Sequence, residues 1–186
     1  MSEKQHTSRN LLVEEDSVLV VIDVQEILMP VIADKSKVIE NIVRLLKFAR
    51  IVNLPVVLTE QERLGATVSE VRKEIPDCTP IGKITFDAFS NAAFVQQLQQ
   101  LKRKTLILTG VETHICVAQT ALHALPDFTV HVVSDAVSSR TPANWTVGLE
   151  RTKQCGAFIT STEMVIYELL QRAGTDAFRA ALKLVK

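Results

Sequence analysis

Val18-Leu-Val-Val-Ile-Asp23 is a short, unbroken apolar run closed by a carboxylate. A strand with one wet face alternates apolar and polar residues, whereas this run has no polar face and reads as a strand buried on both sides of a parallel sheet. Downstream, Val38, Ile42, Leu45, Leu46, Ala49 and Val52 recur at helical spacing from Lys35 to Val52, and Val56-Val-Leu-Thr59 follows as a second strand. The alternation continues with strands at Ile81–Phe86, Thr105–Thr109, Phe128–Val133 and Ala157–Thr160. Helices are predicted at Asn91–Leu101, Thr113–Leu125, Ala143–Cys155, near Glu163–Gln171 and at Thr175–Val185. Strands alternating with helices require crossovers, so the chain is expected to form one doubly wound α/β domain with a six-stranded parallel sheet.

The rest of the chain agrees with that frame. Its 186 residues suit a single domain over 1–186, and no Gly- or Ser-rich linker divides it. Twenty-one Lys and Arg balance 21 Asp and Glu, leaving no basic excess to hold nucleic acid or an anionic membrane. No apolar run reaches a membrane span, and Met1–Glu15 is polar with no apolar signal core. A cytoplasmic location is therefore expected, with 1–15 as a flexible arm. The stretch from Gln61 to Pro80 lacks a clear period; it is either a lid or a surface excursion with a short helix at Thr67–Lys73.

Ligands of open parallel sheets bind beyond the carboxyl ends of the strands, which selects Asp23, Lys83, Asp135 and Cys116. With Thr113 as N-cap, Cys116 would lie in the first turn of its helix, where free N–H groups favour a thiolate and the fastest reaction with alkylating agents. The alternative is a small buried hydrophobe. Cys78 falls in the irregular stretch and Cys155 at a helix end, where the dipole opposes a thiolate. Asp135 reads as a cap or turn former, Lys83 could be an edge charge, and His114 and His123 read as solvated or structural.

Three segments then carry a resemblance: Val21-Ile-Asp23-Val-Gln25, Gly82-Lys83-Ile-Thr-Phe86-Asp-Ala-Phe89 and Gly110-Val-Glu-Thr-His-Ile-Cys116-Val. In order and content they resemble the signatures of the isochorismatase-like cysteine hydrolases, and Thr59-Glu-Gln61, His131–Ser139 and Gly156–Ser161 resemble the isochorismatase domain-containing subgroup. The resemblance implies a Rossmann-like three-layer αβα fold, a catalytic triad of Asp23, Lys83 and Cys116, and backbone N–H groups of Glu112 and Cys116 as oxyanion donors. It also implies a cis peptide between Val111 and Glu112, and a homo-oligomer. Nicotinamidases of this superfamily carry an Asp-x-His metal segment after the second strand, where this chain has Thr59-Glu-Gln-Glu-Arg63. No metal or cofactor is thus expected.

The expected activity is hydrolysis of a small amide or related C–N bond through a thioester-type intermediate. Gln25 and Gln61 are candidate polar contacts for the small-molecule substrate, and Phe86 and Phe89 candidate pocket walls. The alternatives are an enol-ether hydrolase and a non-enzymatic interaction module on the same fold. An aspartyl phosphotransferase or receiver domain is disfavoured because the chain reads Asp23-Val-Gln25 where Asp-x-Asp would be needed.

Overall fold

A computed structural model describes residues 11–185. The strands are β1 (Ser17–Ile22), β2 (Val56–Gln61), β3 (Ile81–Lys83), β4 (Thr105–Val111), β5 (Thr129–Ser138) and β6 (Phe158–Thr160). They form one six-stranded sheet, all parallel, in the order β3-β2-β1-β4-β5-β6. The helices are α1 (Lys35–Ile51), α2 (Ser69–Arg72), α3 (Ala92–Leu101), α4 (Ala118–Ala124), α5 (Pro142–Gln154), α6 (Thr162–Leu170) and α7 (Asp176–Val185).

The unbroken apolar character of β1 follows from helices on both sides. Leu19 and Val21 pack with Val38, Ile42 and Leu45 of α1, Val165 and Ile166 of α6 and Ala181 of α7. Val18, Val20 and Ile22 face Phe94 and Leu98 of α3, Ala121 of α4 and Leu149 of α5. Side-chain caps start the helices where polar residues precede apolar periodicity: Asn91 accepts from the Ala93 and Phe94 amides, and Ser161 from that of Met164.

Several expected boundaries move. β3 stops at Lys83 instead of reaching Phe86, because Ile84 and Phe86 leave the sheet and are 73% and 52% exposed. β5 runs on to Ser138, its pairing with β4 slipping in register between Leu108 and Gly110. Asp135 therefore lies inside β5, where its Oδ1 accepts from the amide and hydroxyl of Thr162 at the start of α6.

Residues 1–10 of the expected arm lie outside the described residues. From Leu12 the chain is fastened down: Leu12 is buried, its amide donates to Glu168, and Asp16 accepts from the Lys104 amide and the Thr105 hydroxyl. The stretch after β2 is also held: Gln25 and Thr67 form an antiparallel bridge, the Glu26 and Val68 amides donate to Ala66 and Val24 carbonyls, and Val68 and Val71 are buried. It matches the surface excursion with a short helix more closely than a lid. No described helix is long and apolar enough to cross a membrane.

Candidate active site

The strand order reverses between β1 and β4, and the crevice beyond their carboxyl ends is where such sheets place ligands. Asp23 follows β1 directly, with φ of 52°, and its amide donates to the Thr59 carbonyl of neighbouring β2. Lys83 is the last residue of β3, and Cys116 sits on the turn after β4. The three sequence-predicted triad residues thus come together from three strands, and all are buried: Asp23 at 0%, Lys83 at 2% and Cys116 at 6% exposure.

Lys83 Nζ donates to Asp23 Oδ2 at 2.6 Å, to Gln61 Oε1 at 2.8 Å and to the Thr85 carbonyl at 3.2 Å. The other oxygen of Asp23 accepts from the Thr59 hydroxyl at 2.7 Å. The Cys116 thiol completes the cluster, close enough to feel both the Asp23 carboxylate and the Lys83 ammonium.

The expected thiolate is corrected by this environment. Burial first, and then the Asp23 carboxylate beside it, push the Cys116 thiol up to about 12, against the opposing pull of the Lys83 ammonium and of the Glu112 N–H at the sulfur. These surroundings favour the neutral thiol, with a carboxylate beside it. The local helix also differs from expectation: Thr113–Val117 is a single π turn, Glu112 occupies the cap position, and the buried Thr113 hydroxyl has no partner and caps nothing. The Val111–Glu112 peptide is cis.

The turn is braced from the β5–α5 side. Glu112 Oε2 accepts from the amide and Nε of Arg140 at 2.8 and 3.2 Å, and His114 Nδ1 lies 3.0 Å from the Ser139 hydroxyl. Gly148 of α5 faces this turn; a Cβ there would sit 2.9 Å from the backbone nitrogen and Cα of His114. Gly110 has a stricter requirement, with φ of 106° and a would-be Cβ 2.0 Å from the Ile22 carbonyl oxygen.

The expected substrate contacts divide. Gln25 is fully buried and spends its amide on the backbone: Nε2 donates to the Gln61 and Gly65 carbonyls at 2.9 and 2.7 Å, and Oε1 accepts from the Gln61 amide at 2.8 Å. It braces the ends of β1 and β2 and has no donor left for a substrate. The Gln61 side chain is likewise committed, to Lys83 and to the Ile84 carbonyl. Phe89 stacks on His123 at 5.0 Å and packs edge-on to Phe94 at 5.2 Å, in an aromatic group on the α3–α4 side that contains no triad residue. Phe86 remains exposed two residues beyond Lys83's neighbour Ile84. His123 is held by Asp87 at 2.8 Å, a structural role like that of His114.

Near the end of β2, Glu60 accepts from the amide and hydroxyl of Thr67 at 2.8 and 2.7 Å. No group of three or more His, Cys, Asp or Glu placed to hold a metal ion occurs among the described residues. The signal for the brace residues was weak in the sequence: Gln25 and Gln61 meet across 36 residues, and nothing in either segment alone announces it.

Residues 17–164 match the isochorismatase domain. The chain is 40% identical to a secreted isochorismatase effector, Isc1, of Phytophthora sojae, over 94% of this chain and 87% of that protein. It is 35% identical to isochorismatase domain-containing protein 2A of Mus musculus, over 94% and 85% respectively. Among solved structures, the MAR1 ribonuclease of Caenorhabditis elegans superposes with a TM-score of 0.88 at 32% identity, covering 94% of this chain and 92% of that one. YcaC of Escherichia coli, described as an octameric hydrolase of unknown specificity, gives 0.88 at 29% identity, covering 94% and 88%. YcaC of Pseudomonas aeruginosa, solved with hexane-2,5-diol and covalent acrylamide, gives 0.87 at 27% identity, covering 99% and 93%. With the fold, the order of its signature segments and these relatives in agreement, the chain belongs to the isochorismatase family of hydrolases.

Proposed function

We propose that the protein is a metal-independent cysteine hydrolase that cleaves a small amide or related C–N bond. The observation that carries this reading is the buried Asp23–Lys83 ion pair at 2.6 Å, with the buried Cys116 thiol beside it. As the sulfur attacks the carbonyl carbon, its proton passes to Asp23 and the C=O electrons move to oxygen. The Glu112 and Cys116 N–H groups are the donors for that oxyanion, each worth about 3 kcal/mol of transition-state stabilisation. Collapse expels the amine, which takes the proton from Asp23, and leaves a thioester. Asp23 then deprotonates a water that attacks the thioester, releasing the acid and restoring the thiol. Lys83 keeps Asp23 oriented throughout, and the proton taken from that water returns from Asp23 to the sulfur.

The Pseudomonas relative, solved with covalent acrylamide, supports a reactive nucleophile on this fold, acrylamide being attacked at its vinyl carbon. Exposed Ile27, Ile84 and Phe86 are apolar surface that favours a homo-oligomer, with Phe86 a pocket wall completed by a second copy. A panel of small amides, esters and enol ethers, run against Cys116→Ala, tests the function. Amide turnover that vanishes in the variant, with a trapped acyl adduct on Cys116, is the expected result. Turnover of an enol ether that survives Cys116→Ala would replace this reading.

A further inference from the structure

Lys83 has three N–H bonds and meets three acceptors: Asp23, Gln61 and the Thr85 carbonyl. Its side chain is 1% exposed, so water cannot replace a missing partner. The ammonium is therefore saturated by the protein. Gln61 supplies the one side-chain acceptor besides Asp23, and its orientation is fixed from both ends. Its Nε2 donates to the Ile84 carbonyl at 2.7 Å, and a flipped amide would set NH₂ against the ammonium and oxygen against that carbonyl. Gln25 holds the Gln61 backbone through both its amide and its carbonyl. The chain of contacts runs from Gln25 through Gln61 and Lys83 to Asp23 and Cys116.

We propose that Gln61 is a positioning residue of the hydrolytic site, holding the Lys83 ammonium against Asp23 so that the carboxylate faces the thiol as its base. Lys83 then acts on Asp23 and makes no contact with the substrate. The ionisable groups facing Lys83 are Asp23 from the end of β1 and Cys116 from the turn after β4; Glu60, next to Gln61, is bound to Thr67 instead. The proposal rests on the reading of Asp23 as base to Cys116, and the test separates the two.

The test measures acrylamide adduct formation at Cys116, by peptide mass, from pH 5 to 9 in the full chain and in Gln61→Met and Gln61→Glu. The Met variant keeps the volume and removes the acceptor. It should label about tenfold more slowly at pH 7, with the acid limb of its profile about one pH unit higher. Gln61→Glu keeps an acceptor but sets a second carboxylate beside Asp23 and the sulfur, so it should also label slowly while melting no lower than the Met variant. A role in packing alone predicts the opposite, rescue by the near-isosteric Glu. Either folded variant labelling at the wild-type rate with an unchanged pH profile overturns the proposal, and if the Met variant fails to fold the Glu variant decides. A wild-type chain that forms no adduct at Cys116 overturns the cysteine-hydrolase reading itself and the role of Gln61 with it.

Discussion

Asp23 and Lys83 are joined by a 2.6 Å ion pair whose two side chains are 0% and 1% exposed. Such a pair is weak evidence of stabilisation when intact and costly when halved, because the surviving charge has no water to turn to. Asp23→Leu or Lys83→Met alone should lower unfolding stability by about 3–5 kcal/mol. The double variant Asp23→Leu/Lys83→Met should cost less than the sum of the two. Urea melts of the four proteins check this, and strict additivity would mean the charges are not coupled.

The neutral thiol at Cys116 reverses the order of reactivity expected from a helix-start cysteine. Cys155 is exposed, Cys78 is half-buried with burial pushing its thiol up, and Cys116 is buried and raised to about 12. A bulky aromatic disulfide reagent at pH 7 should therefore modify Cys155 first and Cys116 last. Peptide mapping over time reads the order directly, and early modification of Cys116 would contradict a resting thiol.

Gly148 lets α5 touch the turn that carries the sulfur. In Gly148→Ala the added methyl meets backbone atoms of His114 that cannot rotate away, so the turn must shift. Catalysis should fall at least tenfold while stability drops by about 1–3 kcal/mol. A variant with wild-type turnover and a lowered melting temperature would show that the turn tolerates displacement.

His131 in β5 is 3% exposed and packs against Phe158, and burial pushes its imidazole down to about 4. The unfolded chain binds a proton there at about pH 6.5 while the folded chain does not, so stability declines as pH falls from 6.5 towards 4. The loss amounts to about 3 kcal/mol. His131→Leu should flatten that part of the acid profile in melts from pH 7 to 4. An unchanged slope would place the acid sensitivity elsewhere.

The sheet and its helices were legible because burial on both faces leaves long apolar runs, and the strand-end positions of Asp23, Lys83 and Cys116 follow from the same architecture. What misled was local polarity and its absence. Ile84 and Phe86 extend an apolar run past the true end of β3 because they face outward, and Ser134 and Asp135 look like the close of β5 although the slipped register carries the strand through them. The amides of Gln25 and Gln61 read as free to meet a substrate. Their partners are backbone groups and an ammonium supplied by distant segments, which no local pattern records.

Gly110 pairs in register with Ile22 where the two windings of the sheet meet. Asp23 follows Ile22 by one residue, and Cys116 follows Gly110 by six. A hydrogen atom at Gly110, in place of a side chain, lets main chain rest on main chain at that seam. The segments that carry the carboxylate and the sulfur thus start from a point set by peptide geometry. Pocket walls and outer loops are then free to diverge, while Asp23 and Cys116 keep a common datum.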